Sequence, residues 1–462
     1  MEIASGNQRA GSNSDTDLIP EETQNEIPGR VAEMRKPRLG CAICAFIVVA
    51  PAITAQSLLH RSEHWIATWA TAQEMAVTVP DRVVLPPDAP KPDFSKMRGK
   101  RPPQAPDKIE NQTIRMVVHT SIGGSTVRVE LSNAFALNGV SIGAAHIAIR
   151  AKDSTIQVGT DRVLKFSGNP SVELRSGTVV VSDPVELTFP PMADLAVSLY
   201  VVGNAVKPAN HTPSLHTGYI SMGDTTGASS MLDSTTTGSY LWLRSVDVVA
   251  SPQDFAIACL GDSITDGYGT TPDKDQAWPT LLANRFVSQK TEPRVAVINE
   301  GLSGNQILRD GAGVSALARL DRDVLSEPGV KWIVLLEGIN DINIHGQFTG
   351  PDAITADELI KGDRQIIARA HLNGVKVMGA TLTPDMGVWP AGPIGEATRQ
   401  KLNQWIRTGG EFDAVVDLDM VLQDKENPAK LRDDLDPGDH IHPNDKGNGI
   451  MAAAFQLSTF EK

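Results

Sequence analysis

A serine, a histidine and an aspartate can together turn a hydroxyl into a nucleophile, and this chain holds all three where that use makes sense. The stretch "FAIACLGDSITDGYGTT" (255–271) carries a run of buried-type residues into Gly-Asp-Ser and then into more glycine and threonine, where a helix cap or plain turn would do. A serine hydroxyl is a poor nucleophile until a base takes its proton, so Ser263 needs a histidine within hydrogen-bond reach. Far downstream, "DPGDHIHPND" offers Asp439 and His442. In a tight turn bounded by proline and glycine, their three-residue offset lets the carboxylate accept the imidazole Nδ1–H, which fixes the tautomer and leaves Nε2 to face the serine. His440 is the alternative base, and the offset favours His442.

Attack on an ester carbonyl puts negative charge on oxygen, which must meet preorganised donors. The backbone N–H of Ser263, the backbone N–H of Gly304 in "NEGLSGN" and the side-chain amide of Asn340 in "GINDIN" are the candidates. Glycine at 304 suits a donor loop because no Cβ blocks the approach of substrate. Plainer roles compete for the same residues. Ser263 could be an ordinary helix N-cap, Asn340 a turn former, and Asp439, His440 and His442 a metal site. The metal reading leaves Ser263, Gly304 and Asn340 without a purpose. Asp262 reads as a loop-orienting residue, Asp341 and Asn343 as loop braces, and Glu337 as either structural or pocket-shaping. Asn305 could brace the donor loop or touch substrate. Trp389, in the loop "TPDMGVWPAGP", could line a substrate pocket or anchor the loop. Trp65, Trp69, Trp242, Trp278 and Trp332 read as core.

Such residues act together only if the fold gathers them. From Phe255 onward, near-continuous apolar runs ("FAIACL", "VAVIN", "KWIVLLEG", "VKVMGATL", "AVVDL") alternate with helix-period segments near 276–288, 312–325, 355–373, 395–408 and 447–458. That alternation implies a parallel sheet covered on both faces, a three-layer α/β/α domain with right-handed crossovers. Ligands bind beyond the carboxyl ends of such strands, and every motif above falls at a loop on that edge. Between 113 and 250 the period is two, as in "TVRVELS", with turn residues between short strands; this predicts an antiparallel β-sandwich of the jelly-roll kind.

The blocks "GDSIT", "GLSGN", "GIND" and "DHIH" resemble, in order and spacing, those of the SGNH (GDSL-type) serine hydrolases. The resemblance covers 255–462, and the preceding β region looks like the one found in secreted bacterial members. It implies a flavodoxin-like sheet, a catalytic Ser263, Asp439 and His442, and an oxyanion hole of Ser263, Gly304 and Asn340. It further implies a serine esterase acting on short acyl esters, often acetyl groups on sugars or simple aryl and alkyl esters, with no metal or cofactor. The Gly-x-Ser-x-Gly elbow of α/β-hydrolases is lacking in the family and in "GDSIT".

Composition sets the remaining limits. The chain has 462 residues, 41% of them hydrophobic, and a formal charge of −13. There is no basic run long enough to track a phosphate backbone, so nucleic acid is an unsuited partner, as are anionic membrane surfaces. Residues 34–55, "MRKPRLGCAICAFIVVAPAITA", have the basic start, short apolar run and small residues of a secretory signal peptide, which predicts a secreted or periplasmic protein with no stable membrane insertion after cleavage. Cys41 and Cys44 would leave with it, and Cys259 alone remains. The polar stretch 1–33 reads as a disordered leader or a misassigned start, 56–112 as a strand followed by a Pro-rich linker, 113–250 as the β-sandwich and 251–462 as the catalytic domain. Two other function classes stay open: an acyltransferase using the same triad, and a carbohydrate-binding or adhesion protein with an inert α/β domain. Acyl length, the leaving alcohol and the oligomeric state are not legible.

Overall fold

Alternating burial builds the β-rich region. In the strand Gly124–Ser132, Val127, Val129 and Leu131 are fully buried while Arg128 and Glu130 face the other way. The computed structural model describes residues 63–75, 105–290, 292–311, 313–346 and 353–461. The expected leader, the signal segment 34–55 and nearly all of the Pro-rich stretch lie outside the described residues.

Two antiparallel sheets make up this region. In one, Trp65–Ala70 pairs with Leu243–Val249, which pairs with Gly124–Ser132; the latter also takes Val179–Val181 and Val185–Phe189. In the other, Thr235–Thr237, Gly218–Met222, Gln112–His119, Asp194–Val202 and Val140–Lys152 follow in spatial order. The strand around "HWIATWATA" thus joins the β-rich region, with Trp65 opposite Val249, and does not extend the parallel sheet. Trp242 is buried here and donates its indole N–H to Asn133 Oδ1 at 3.1 Å.

The second half forms a parallel sheet. Its strands are Phe255–Gly261, Val295–Gly301, Val330–Leu336, Lys376–Ala380 and Ala414–Val416, numbered one to five in chain order, and they lie in the order two-one-three-four-five. Strand one is flanked on both sides and buried along its whole length, as its unbroken apolar run requires. Helices fall between the strands and after the last of them, where the 3.6-residue period places them: Trp278–Gln289, Ala316–Leu320, Ala356–Leu372, Pro393–Thr408 and Asp445–Ala454. A capping box between Thr355 and Glu358 starts the longest of them. Among the described residues, no helix is long and apolar enough to cross a membrane.

Two strand ends must be glycine. Strand one runs into the short helix Ser263–Asp266, which folds back over the ends of strands one and two. A Cβ on Gly301 would overlap the backbone nitrogen of Asp266, and one on Gly261 would overlap the Thr265 hydroxyl. Backbone atoms cannot swing aside as a flexible side chain could, so Gly301→Ala must displace that helix. The substitution is expected to lower stability by about 1–3 kcal/mol, read as a lower urea-unfolding midpoint at unchanged slope; an unchanged midpoint would show that the helix is not held against the sheet.

Candidate active site

Asp262 caps the helix Ser263–Asp266 by accepting the Ile264 N–H at 2.9 Å, and Gly267, with φ 103°, ends it. The residues after it reach across to the histidine loop. Gly269, with φ 91°, sits where a Cβ would press on the His442 Cβ at 3.0 Å. Thr271 donates its N–H and its hydroxyl to Asp445, the first residue of the last helix, at 2.7 and 2.6 Å. The Tyr268 ring lies 4.5 Å from that of His442. So the glycine and threonine tail of the opening stretch joins the turn carrying Ser263 to the loop carrying His442. From sequence, this glycine-rich turn is expected to expose Ser263 and its N–H at the sheet edge, and nothing in it signals the link to the histidine loop.

Ser263 Oγ lies 2.8 Å from His442 Nε2, although 179 residues separate them in the chain. His442 Nδ1 lies 2.9 Å from Asp439 Oδ2, and the other Asp439 oxygen accepts the His442 N–H at 3.0 Å. Burial works against the Asp439 charge, but the hydrogen bond and charge of His442 outweigh it and hold this carboxyl below its usual range. His440 is exposed and turned away, its Nδ1 at 2.5 Å from Asp436 Oδ2. Asp439, His440 and His442 therefore do not converge on a common point.

The loop after strand two carries Gly304 at φ 79°, a left-handed conformation that favours glycine. Asn340, near the start of the helix Ile339–His345 after strand three, donates one amide hydrogen to the Asn305 backbone carbonyl at 2.9 Å, which leaves the second without a partner among the described residues. Asn305 is fully buried: its amide donates to Val314 O at 2.8 Å and its carbonyl accepts from Arg319 Nε at 2.7 Å. Of the two roles open to it, the geometry supplies the brace and no face for substrate. Asp341 accepts the N–H groups of Ile307 and Leu308, at 2.8 and 3.2 Å, so it braces the neighbouring donor loop as well. Burial pushes its carboxyl up to about 7 in spite of those bonds. Asn343 donates to Asp385 at 2.8 Å.

Residues 259–450 match the family model of GDSL-like lipases/acylhydrolases. That match falls within the α/β region. Among solved structures, the chain is similar to an acetyl xylan esterase from Geobacillus stearothermophilus (20% identity, 46% of this chain and 95% of that one, TM-score 0.35). It is similar also to a carbohydrate acetylesterase from Sinorhizobium meliloti and to an inhibitor-bound aryl esterase from M. smegmatis, each at 16% identity, 43% and 95% coverage and TM-score 0.33. No curated protein matches the chain.

One residue of this GDSL-type site escaped the sequence reading. Arg319, fully buried, donates to Gly261 O at 2.9 Å, to Glu300 O at 2.8 Å and to Asn305 Oδ1. It thus ties the ends of strands one and two to the donor loop. In "SALARL" it reads as an arginine on the solvent face of a helix, and no local signal turns it inward. Trp389 is half-buried in its loop, with Gly387 packed on the His440 ring.

Glu337 lies buried at the end of strand three, and both its oxygens lack a hydrogen-bond partner among the described residues. Burial, reinforced by Asp262 and Asp341 and opposed by Arg319, pushes its carboxyl well above the carboxylate range. Asp262 is likewise pushed up by burial, to about 6. The folded chain therefore keeps a proton that the unfolded chain releases near the ordinary glutamate value of about 4.3. That contribution to stability is present below the unfolded value and is lost as pH rises toward the folded one. Glu337→Gln cannot ionise, so its stability relative to the wild type should improve steadily as pH rises above the unfolded value of about 4.3; parallel curves of melting temperature against pH would refute the assignment.

Proposed function

We propose that the chain is a secreted serine esterase that hydrolyses short, acetyl-type acyl esters, with Ser263, His442 and Asp439 as the triad. The observation that carries this is the unbroken relay from Ser263 Oγ to His442 Nε2 and from His442 Nδ1 to Asp439, at 2.8 and 2.9 Å. Ser263 Oγ attacks the acyl carbonyl as its proton passes to His442 Nε2. The carbonyl oxygen becomes an oxyanion held by the N–H groups of Ser263 and Gly304 and by the second amide hydrogen of Asn340. Collapse breaks the bond to the alcohol, which leaves with the proton from His442, and the acyl group stays on Ser263. Water then attacks with His442 as base, and the acid and free serine are released.

The family match and this geometry support the reading together. The acyl and alcohol classes are carried over from the family, with an acylated saccharide or a simple aryl or alkyl ester as substrate and Trp389 as a lining residue. Residues 34–55 would be the export signal, and the two antiparallel sheets the faces of a jelly-roll-like sandwich. Because Asp439 is held in its charged form, it needs no deprotonation at neutral pH and can keep the imidazolium oriented throughout the cycle.

Rates on nitrophenyl esters from acetyl to long acyl chains, and on acetylated xylan, test the proposal. Ser263→Ala should lower kcat by about 10³-fold or more. Asn340→Ala should lower it by about 10²-fold with KM nearly unchanged, because the oxyanion exists only in the transition state. Full turnover in Ser263→Ala would overturn the assignment, and ester exchange onto an added alcohol in place of hydrolysis would redirect it to acyl transfer.

A further inference from the structure

His211 belongs to the β-rich region, on the two-residue strand Asn210–His211, and is buried. Its Nδ1 lies 2.7 Å from the Ala72 carbonyl oxygen and its Nε2 lies 3.1 Å from Asp266 Oδ1. A carbonyl and a carboxylate can only accept, so both ring nitrogens must carry protons and the ring is an imidazolium. Asp266 is the last residue of the helix that Ser263 begins, and its backbone rests on Gly301. Its second oxygen accepts the Ser303 hydroxyl at 2.7 Å, and Ser303 immediately precedes Gly304. One carboxylate thus joins the helix of the nucleophile, the loop of the oxyanion donor and a cation from the other half of the protein.

We propose that His211 is a positioning residue for the esterase site: through Asp266 it fixes the spacing between Ser263 and the Gly304 loop. The inference rests on the esterase reading above. Two further groups face the ring, Glu74 and Tyr240. Glu74 accepts from Asn210 Nδ2 at 2.8 Å and from the Thr212 N–H at 3.3 Å. The Tyr240 ring stacks at 6.2 Å, and its hydroxyl is 3.3 Å from His216 Nδ1. His216 in turn pairs with Asp275 at 2.8 Å. Burial opposes the His211 charge, but Asp266, then Glu74 and the Ala72 carbonyl, outweigh it and raise its pKa. A group raised in this way contributes fully below its unfolded value, about 6.5, and its contribution is lost as pH rises through the higher folded value. Spacing at the site should therefore loosen on the alkaline side.

The test compares wild type, Ser263→Ala, His211→Asn, His211→Gln and Ser303→Ala for kcat, KM, the pH profile of kcat on nitrophenyl acetate, and melting temperature. An asparagine amide replaces the Nδ1 donor and loses Asp266; a glutamine amide replaces the Nε2 donor and keeps it. His211→Asn should lower kcat by about tenfold or more with KM changed less than about threefold, since a misplacement of about 1 Å is that costly. His211→Gln should recover most of the rate and lose the alkaline fall of the wild-type profile. Ser303→Ala, which leaves the β-rich region untouched, should reproduce the loss confined to kcat. If His211→Asn and Ser303→Ala both keep wild-type kcat while Ser263→Ala is inactive, the positioning role is overturned and the esterase reading stands. It is overturned equally if asparagine and glutamine lower kcat alike, in step with melting temperature. A wild type that cleaves none of the esters, or a Ser263→Ala that does, overturns the esterase reading and the positioning role with it.

Discussion

A guanidinium sealed from water sets the spacing of the site. Where parallel strands end, their last carbonyls lose ladder partners just as the chain turns away, and a buried unpaired carbonyl costs about 1–3 kcal/mol. Arg319 donates to the Glu300 carbonyl and to the Gly261 carbonyl, which also accepts the Leu302 N–H, and in the same plane fixes the Asn305 side chain. The fork of the guanidinium has rigid geometry, so satisfying three acceptors also fixes their separations. Those acceptors belong to the segments that carry Ser263 and Gly304. The requirement that a buried guanidinium have its N–H groups paired therefore becomes a requirement on where Ser263 and Gly304 stand.

The sheet order makes such a clamp sufficient. With strand one between strands two and three, the loops after all three open at one edge, next to the point where the order reverses. Ser263, Gly304 and Asn340 each leave from a different one of these strands. Cross-braces then close the gaps: Asn340 to the Asn305 carbonyl, Asp341 to Ile307 and Leu308, and Asn343 to Asp385. Most of these residues are buried, so their bonds face little competition from water, and the burial that strengthens them also raises the carboxyl pKa values of Asp262, Glu337 and Asp341. Carboxyl groups crowded this closely are more easily kept when some hold a proton.

Much of this was legible in advance because it is written in periodicity and in short motifs. Unbroken apolar runs marked the five parallel strands, and the helix-period segments fell within a few residues of the observed helices. The three-residue offset of Asp439 and His442 is local, so sequence alone could state its geometry. What stayed hidden is long-range and polar. Arg319 lies in a helical stretch where an arginine is expected to face water. The strand Trp65–Ala70 finds its partner about 180 residues away, at Leu243–Val249. Asn305 had two open roles because its partners, Val314 and Arg319, are set by how the loop folds back. A pattern reports which face of an element is buried, but it does not say which charge another charge will meet.

The two halves meet through both apolar and charged contacts, and the charged ones carry direction. Ala256 and Ala296 of the parallel sheet belong to the same core as the β-rich strands. Apolar contact of this kind tolerates sliding. Arg294 does not: it grips Asp254 at 2.7 Å within the α/β region and Gly123 O at 3.1 Å across the boundary. Arg244, from the strand Leu243–Val249, pairs with Glu130 on its own side and with Glu327 on the other, the latter at 2.6 Å. Contacts of this kind hold only over a narrow range of distance and angle, which a shifted methyl contact does not require. The β-rich region is therefore registered on the α/β region by bonds of fixed length, and a side chain projecting from it can hold the helix Ser263–Asp266 as firmly as one from within the parallel sheet.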